Sequence, residues 1–295
     1  MSSRVAFIGL GVMGLPMAGH LLAGGHRLVV HSRTRSKAND LLARGATWAD
    51  SPAAAAEQTD VVFICVTDTP DVQAVVLGEK GIASANRSGL IVVDHSTISP
   101  AATKQMAAVL VTKNMQLLDA PVSGGDLGAR NATLSIMVGG DENAYQTIVP
   151  LLNLMGKTIT YCGPGGCGQL TKLVNQIIVS LTNLAVSEGL SFAISNGLDP
   201  QKTLDAVSGG AAGSWQLQNL GPKIIKGDFA PGFTIDLQQK DLRLVMEAAS
   251  QSQTPLPGAA LVHQLFNAAQ ADGRGGEGTQ ALFAVLRKLA GQAGD

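Results

Sequence analysis

VAFIGLGVMGLPMAGHLLAGG, residues Val5–Gly25, admits two readings, and the choice between them decides the fold. The stretch holds no Asp, Glu, Lys or Arg, and its length suits a membrane span or the apolar core of a signal peptide. It also holds Gly9, Gly11, Gly14, Pro16, Gly19, Gly24 and Gly25, and it lacks a cleavage pattern. Strand, tight turn and helix account for those residues better. Val5–Leu10 is a short apolar run of the kind buried in a parallel sheet. Gly9-Leu10-Gly11-Val12-Met13-Gly14 then gives the spacing G-x-G-x-x-G. The first glycine allows a tight turn, the second the close approach of a pyrophosphate, and the third close packing of helix on strand. A helix over about Val12–Ala23 would aim its first amides at the phosphates.

Working outward, Leu28–Thr34 (LVVHSRT) is a second strand at the distance a strand–helix–strand unit requires. An acid at its end would bond the ribose 2′-hydroxyl of NAD, whereas arginine accommodates the 2′-phosphate of NADP. Here stand His31, Ser32, Arg33 and Thr34, with Arg35 and Lys37 behind them and no acid. These predict NADP as the preferred cofactor, with NAD as the alternative. Further strands are expected at Val61–Thr67, Leu90–Thr97, Met115–Gly125, Leu134–Gly140 and Thr158–Gly163, alternating with helical patterns. The predicted fold is α/β, a Rossmann-type doubly wound parallel sheet. Ligands of such sheets bind at the carboxyl ends of the strands. Those ends place Val66, Thr67, Ser96 and Thr97 beside the glycine loop. Ser123-Gly124-Gly125 forms a candidate nest for a carboxylate, or simply a helix start that needs glycine.

The charge balance of -1 over 295 residues favours neither a nucleic-acid nor an anionic-membrane partner. Three cysteines, Cys65, Cys162 and Cys167, form no CxxC, so the expected compartment is a reducing cytoplasm. The five histidines show no metal-ligand spacing, and no metal is expected.

Beyond Gly163 the strand signals stop. Gly163–Ser195 reads as one long helix over about residues 166–195, bridging an NADP-binding domain (1–163) and an all-helical domain (164–295). Leu170, Leu173, Val174, Ile177, Ile178, Leu181 and Ala185 recur at helical spacing and predict an apolar stripe against a core. The opposite face carries Lys172, Asn175, Gln176, Val179 and Asn183. Lys172 is the only charge between Lys157 and Glu188, which predicts a covered, functional face over a solvated one. Further helices are expected at Pro200–Val207, Ile235–Ser252, Pro257–Ala271 and Gln280–Ala290. Gly209–Trp215 reads as a mobile element or a linker. Lys240-Asp241, by spacing alone, reads as an exposed helical pair.

Four ordered segments, FIGLGVMGLPMAGHLL, DAPVSGGDLGARNATLSIMVGG, GCGQLTKLVNQ and GFTIDLQQKDL, resemble the cofactor, substrate, catalytic and second lysine motifs of the β-hydroxyacid dehydrogenase family. The helical half looks nearest to its 2-hydroxy-3-oxopropionate reductases. The resemblance implies an NAD(P)-dependent oxidoreductase interconverting a small carboxylate-bearing aldehyde and its hydroxy acid, as a homodimer or homotetramer. It makes Lys172 the catalytic residue with Asn175 as companion, and Ser123, Gly124 and Gly125 the substrate-carboxylate site. Thr97 and Lys240 become nicotinamide-side contacts, which moves Lys240 from an exposed pair into the cleft. His20, Arg130-Asn131, Gln176 and the tail around Gly278 depart from the family pattern. Within the family the runner-up is a 3-hydroxyisobutyrate dehydrogenase or a glyoxylate/succinic semialdehyde reductase; outside it the rival readings are a non-catalytic NADP-binding scaffold, an imine reductase and a 6-phosphogluconate dehydrogenase. Lys172, Asn175 and the serine–glycine nest disfavour the scaffold, Lys172 disfavours the imine reductase, and the short helical part disfavours the 6-phosphogluconate dehydrogenase.

Overall fold

In the computed structural model, which describes residues 2–292, the opening strand β1 (Arg4–Ile8) lies fully inside the sheet. Its side chains alternate between two cores. Val5 and Phe7 join Leu28, Phe63 and Leu118, whereas Ala6 and Ile8 join Val62, Ile64 and Val92. A strand with both faces covered must be apolar throughout, which explains the unbroken run.

The sheet-bearing part continues with α1 (Gly14–Ala23), β2 (Arg27–His31), α2 (Asn39–Ala43), β3 (Thr47–Trp48) and α3 (Pro52–Glu57). Next come β4 (Val61–Ile64), α4 (Thr69–Leu77), β5 (Ile91–Asp94), α5 (Pro100–Val111) and β6 (Gln116–Asp119). It closes with β7 (Val122–Ser123), α6 (Gly125–Arg130), β8 (Leu134–Gly139), α7 (Glu142–Leu152) and β9 (Gly156–Gly163). The strand order is β3-β2-β1-β4-β5-β6-β8-β7, with β9 on β8. Pairing is parallel except where β8 meets β6 and β7. The single strand expected over Met115–Gly125 is thus two, broken at Ala120-Pro121. Pro121 has no N–H for a ladder, and its carbonyl instead accepts from Met137.

Helix α8 (Cys167–Ser195) is the long helix expected from the sequence. Its apolar stripe is a correction. Leu173 is buried and Ile177 and Leu181 are half-buried, but Leu170, Val174, Ile178 and Ala185 are exposed. A polar row is buried instead, Gln169, Lys172, Gln176, Ser180, Asn183 and Ser187 at spacings of three and four residues, with Leu184, Val186 and Leu190 buried further along. Gln169 and Gln176 find hydrogen-bond partners on other elements, which offsets the cost of burying them. Among the described residues α8 is the one helix long and apolar enough to cross a membrane. Its buried amides and ammonium belong to a helix packed against protein.

Contacts group the chain as Met1–Lys172 and Leu173–Asp295. The first turn of α8 therefore goes with the sheet, whereas the sequence reading sets the boundary at the glycines before the helix. Gly168 shows why: it lies so close to the Met137 and Asp119 carbonyls that a Cβ would overlap both.

The helical part adds α9 (Pro200–Ser208), α10 (Trp215–Ile225), α11 (Ile235–Ser252), α12 (Pro257–Ala271) and α13 (Leu282–Leu289). Its main core gathers Leu184, Ile235, Leu242, Val262, Phe266 and Leu282. Asp199, Ser214 and Thr234 cap α9, α10 and α11 by accepting backbone N–H groups. Gly209–Trp215 is the connection from α9 into α10. That helix escaped the sequence reading because Gly221-Pro222 interrupts its pattern.

Candidate active site

The glycine loop leaves β1 through Gly9, whose N–H donates to the His31 carbonyl at 2.9 Å. Gly9 has φ +97°, and a Cβ there would run into the Cys65 carbonyl oxygen. A Cβ on Gly14 would overlap the Gly9 oxygen, so α1 can start against the strand only with glycine. Gly11 has open space around it. The three positions thus provide a turn, an open approach and a close contact, which fits a dinucleotide pyrophosphate. Val12 is exposed and Met13 half-buried at the start of α1.

A cavity of about 510 Å³ opens beside this loop. Gly9–Gly11, Ser32–Thr34, Lys37, Cys65–Thr67 and Asp71 line it, so three strand ends expected at the cofactor converge there. Arg33 is well exposed, and its guanidinium lies 3.5 Å from the Asp71 carboxylate. Arg35 turns away and stacks over Trp48. Of the three expected cations, Arg33 and Lys37 face the cavity.

The end of β5 is tied down from several sides. His95 is buried and lies parallel to Phe63 with ring centroids 5.6 Å apart. Its Nδ1 bonds the Ala120 carbonyl at 2.7 Å and must carry the proton, since a carbonyl only accepts. Burial lowers its pKa to about 4, so the ring is neutral. Ser96 Oγ accepts the Val66 N–H at 2.9 Å. Thr97 follows, half-buried, next to this junction.

Asp119, fully buried at the end of β6, holds the start of α8. Its two oxygens accept the backbone N–H groups of Gly166 and Gln169, each at 2.8 Å. Burial pushes its pKa up, and these N–H bonds, with one from Gly168, oppose that shift. One turn beyond Gln169 comes Lys172, only 7% exposed.

Ser123 pairs with Ser135 across β7 and β8. Gly124 and Gly125 follow with φ +132° and +63°, conformations that side-chain-bearing residues avoid. Their N–H groups open the short helix α6, which ends at Arg130, a weak partner of Asp126 at 3.9 Å.

Within the helical part, Lys240 is a correction to the spacing-based reading. Its side chain is only 13% exposed and pairs with the buried Asp241 at 2.7 Å. Asp241 also accepts from Gln176 Nε2 at 2.5 Å, and Gln176 Oε1 accepts from Asn175 at 2.8 Å. Asn175, Gln176, Asp241 and Lys240 therefore form one continuous polar chain.

Residues 4–163 match the family model described as the NAD binding domain of 6-phosphogluconate dehydrogenase. Residues 166–286 match the NAD-binding domain of NADP-dependent 3-hydroxyisobutyrate dehydrogenase. The 2-hydroxy-3-oxopropionate reductase of Escherichia coli is 44% identical over 287 residues, covering 97% of this chain and 98% of that protein. The chain belongs to the β-hydroxyacid dehydrogenase family. It is an NAD(P)-dependent oxidoreductase.

Solved structures agree with this β-hydroxyacid dehydrogenase assignment. The Mycobacterium tuberculosis 3-hydroxyisobutyrate dehydrogenase with L-serine superposes with TM-score 0.89 at 31% identity, covering 97% of this chain and 100% of that one. Psf3 in complex with NADP+ and 2-OPP gives 0.87 at 30%, covering 96% and 99%. Sequence reasoning missed Asp119, Gln169 and Asp71, which hold the expected residues in place, and it named Ser96 only as a strand end. Asp119 and Gln169 stand inside the quoted motifs, but their partners lie 47 to 73 residues away in the chain.

Proposed function

We propose that this oxidoreductase reduces 2-hydroxy-3-oxopropionate to glycerate with NADPH, with Lys172 as the general acid. The observation that carries the reading is Lys172 itself. It is a buried ammonium, the only charge on α8 before Glu188, on a helix start anchored to the strand ends. The near-complete alignment with the Escherichia coli reductase supports the substrate class.

When bound, the reduced nicotinamide supplies a hydride to the aldehyde carbon. The loop Gly9–Gly14 and the first amides of α1 would hold the pyrophosphate, and Ser32, Arg33, Thr34 and Lys37 the 2′-phosphate. Val66 and Thr67 would flank the cofactor, and Thr97 and Lys240 would contact it on the nicotinamide side. The N–H groups of Ser123–Gly125 would fix the substrate carboxylate and so set which face of the carbonyl is presented. As the carbon–oxygen double bond becomes single, Lys172 passes one Nζ proton to the developing alkoxide. Asn175, one turn along α8, would hydrogen-bond the lysine or the substrate oxygen. We further propose a cytoplasmic homodimer or homotetramer.

The decisive assay follows NADPH oxidation with tartronate semialdehyde, alongside methylmalonate semialdehyde, succinate semialdehyde, glyoxylate and an NADH arm. Fastest turnover with tartronate semialdehyde supports the reading. The likeness to the Mycobacterium tuberculosis enzyme favours 3-hydroxyisobutyrate dehydrogenase as the second reading, and preference for methylmalonate semialdehyde would select it. Lys172→Ala should lower kcat by about a hundredfold or more while NADPH affinity holds. Equal loss of both would remove the assigned role.

A further inference from the structure

Gln169 lies one turn before Lys172 on the buried polar face of α8 and is fully enclosed. Its side chain spans to a segment more than 70 residues earlier. Oε1 accepts the Ile98 N–H at 3.1 Å, and Nε2 donates to the Ser96 carbonyl at 2.8 Å. Its own N–H is held by Asp119. Ser96 in turn receives the Val66 N–H from the cofactor cavity. One planar amide therefore matches a donor and an acceptor on the two residues that bracket Thr97. Two bonds from one rigid group fix orientation as well as distance, and sliding α8 by one residue would break both.

We infer that Gln169 is a positioning residue, keeping the turn of α8 that bears Lys172 in register with the Ser96–Ile98 loop that bears Thr97. The inference rests on the proposed roles of Lys172 and Thr97. Gln169 acts through those two segments, and Asp119 is the fixed point beneath it.

Gln169→Met keeps the length of the side chain and removes both bonds. In the full-length protein kcat should fall about tenfold or more, because small misplacements of reacting groups are costly. The aldehyde KM and the NADPH Kd, read by fluorescence, should stay within about twofold of wild type. Backbone amide exchange at Ile98 should accelerate. Should Gln169→Met fail to fold, Gln169→Glu keeps the shape and the acceptor for Ile98 but sets an oxygen against the Ser96 carbonyl, and should show the same split. A kcat within about twofold of wild type, or a matched loss of kcat and NADPH affinity, would overturn the inference. If the wild type turns over no aldehyde in the panel, the reaction reading fails separately. The clamp is then judged by exchange at Ile98: acceleration in Gln169→Met supports it, and unchanged protection overturns it.

Discussion

Arg33 and Asp71 face each other over the cavity beside the glycine loop, and at 3.5 Å the carboxylate would compete with the proposed 2′-phosphate for one guanidinium. Because Arg33 is largely exposed, the pair itself adds little stability. Its effect belongs to binding. Arg33→Ala should weaken NADPH by about tenfold, the low end for a charge-assisted contact, while leaving NADH unchanged. Asp71→Asn should tighten NADPH several-fold by releasing Arg33. Titrations of both cofactors against the three proteins check both signs, and Asp71→Asn weakening NADPH would show that Asp71 orients Arg33 instead of competing for it. His95 makes a second single-residue prediction. Folded, its pKa is about 4, below the ordinary value near 6.5. Above pH 6.5 both states are neutral. Below it the unfolded chain takes up a proton that the buried ring refuses, so stability falls with acid and levels off only below pH 4. His95→Gln should remove roughly 2 kcal/mol of the stability change between pH 7 and pH 5, measured by urea unfolding at each pH. An unaltered pH slope would mean that the ring is already charged in the folded protein.

At the scale of elements, α8 shows what a sequence can and cannot disclose. Its length was legible from an uninterrupted helical pattern after Gly163–Gly166, and the bounds expected for α11 and α12, Ile235–Ser252 and Pro257–Ala271, are those observed. The glycine loop was legible because each glycine answers a local steric need at Gly9 and Gly14. The covering of the face that bears Lys172, Gln176 and Asn183 was legible from its lone charge, whereas the exposure of Leu170, Val174 and Ile178 was not. Periodicity assigns apolar residues to the core, but Gln169 and Gln176 find partners on Ser96, Ile98 and Asp241, and no local pattern reports such distant matches. The anchoring of α8 was hidden for the same reason, since its cap comes from a strand and not from the residue before it. Asp119→Ala would remove the acceptor of the buried N–H groups at that start and should cost roughly 3 kcal/mol. Asp119→Asn keeps one acceptor and should cost clearly less. Urea midpoints at unchanged slope measure both, and equal losses would show that the carboxylate acts through packing alone.

The molecule as a whole presents an apolar row that a single chain leaves uncovered. Leu170, Val174 and Ile178 are 44%, 54% and 60% exposed at successive four-residue steps of α8, and Phe192 further along is 70% exposed. Scattered exposed leucines are ordinary, but a contiguous row along one helix face marks an interaction surface. A net charge of -1 sets little electrostatic repulsion against self-association. Covering the row with a second copy would also explain why the polar face of α8, and not this one, is turned into the chain. The homo-oligomer proposed above would bury this row. Light scattering on the wild type should give a dimer or tetramer. Ile178→Glu, which places a charge mid-row where no opposite charge stands one turn away, should shift that mass toward the monomer while circular dichroism stays unchanged. A wild type that remains monomeric at micromolar concentration would assign the row to another partner. An Ile178→Glu oligomer of unaltered mass would place the interface elsewhere on the surface.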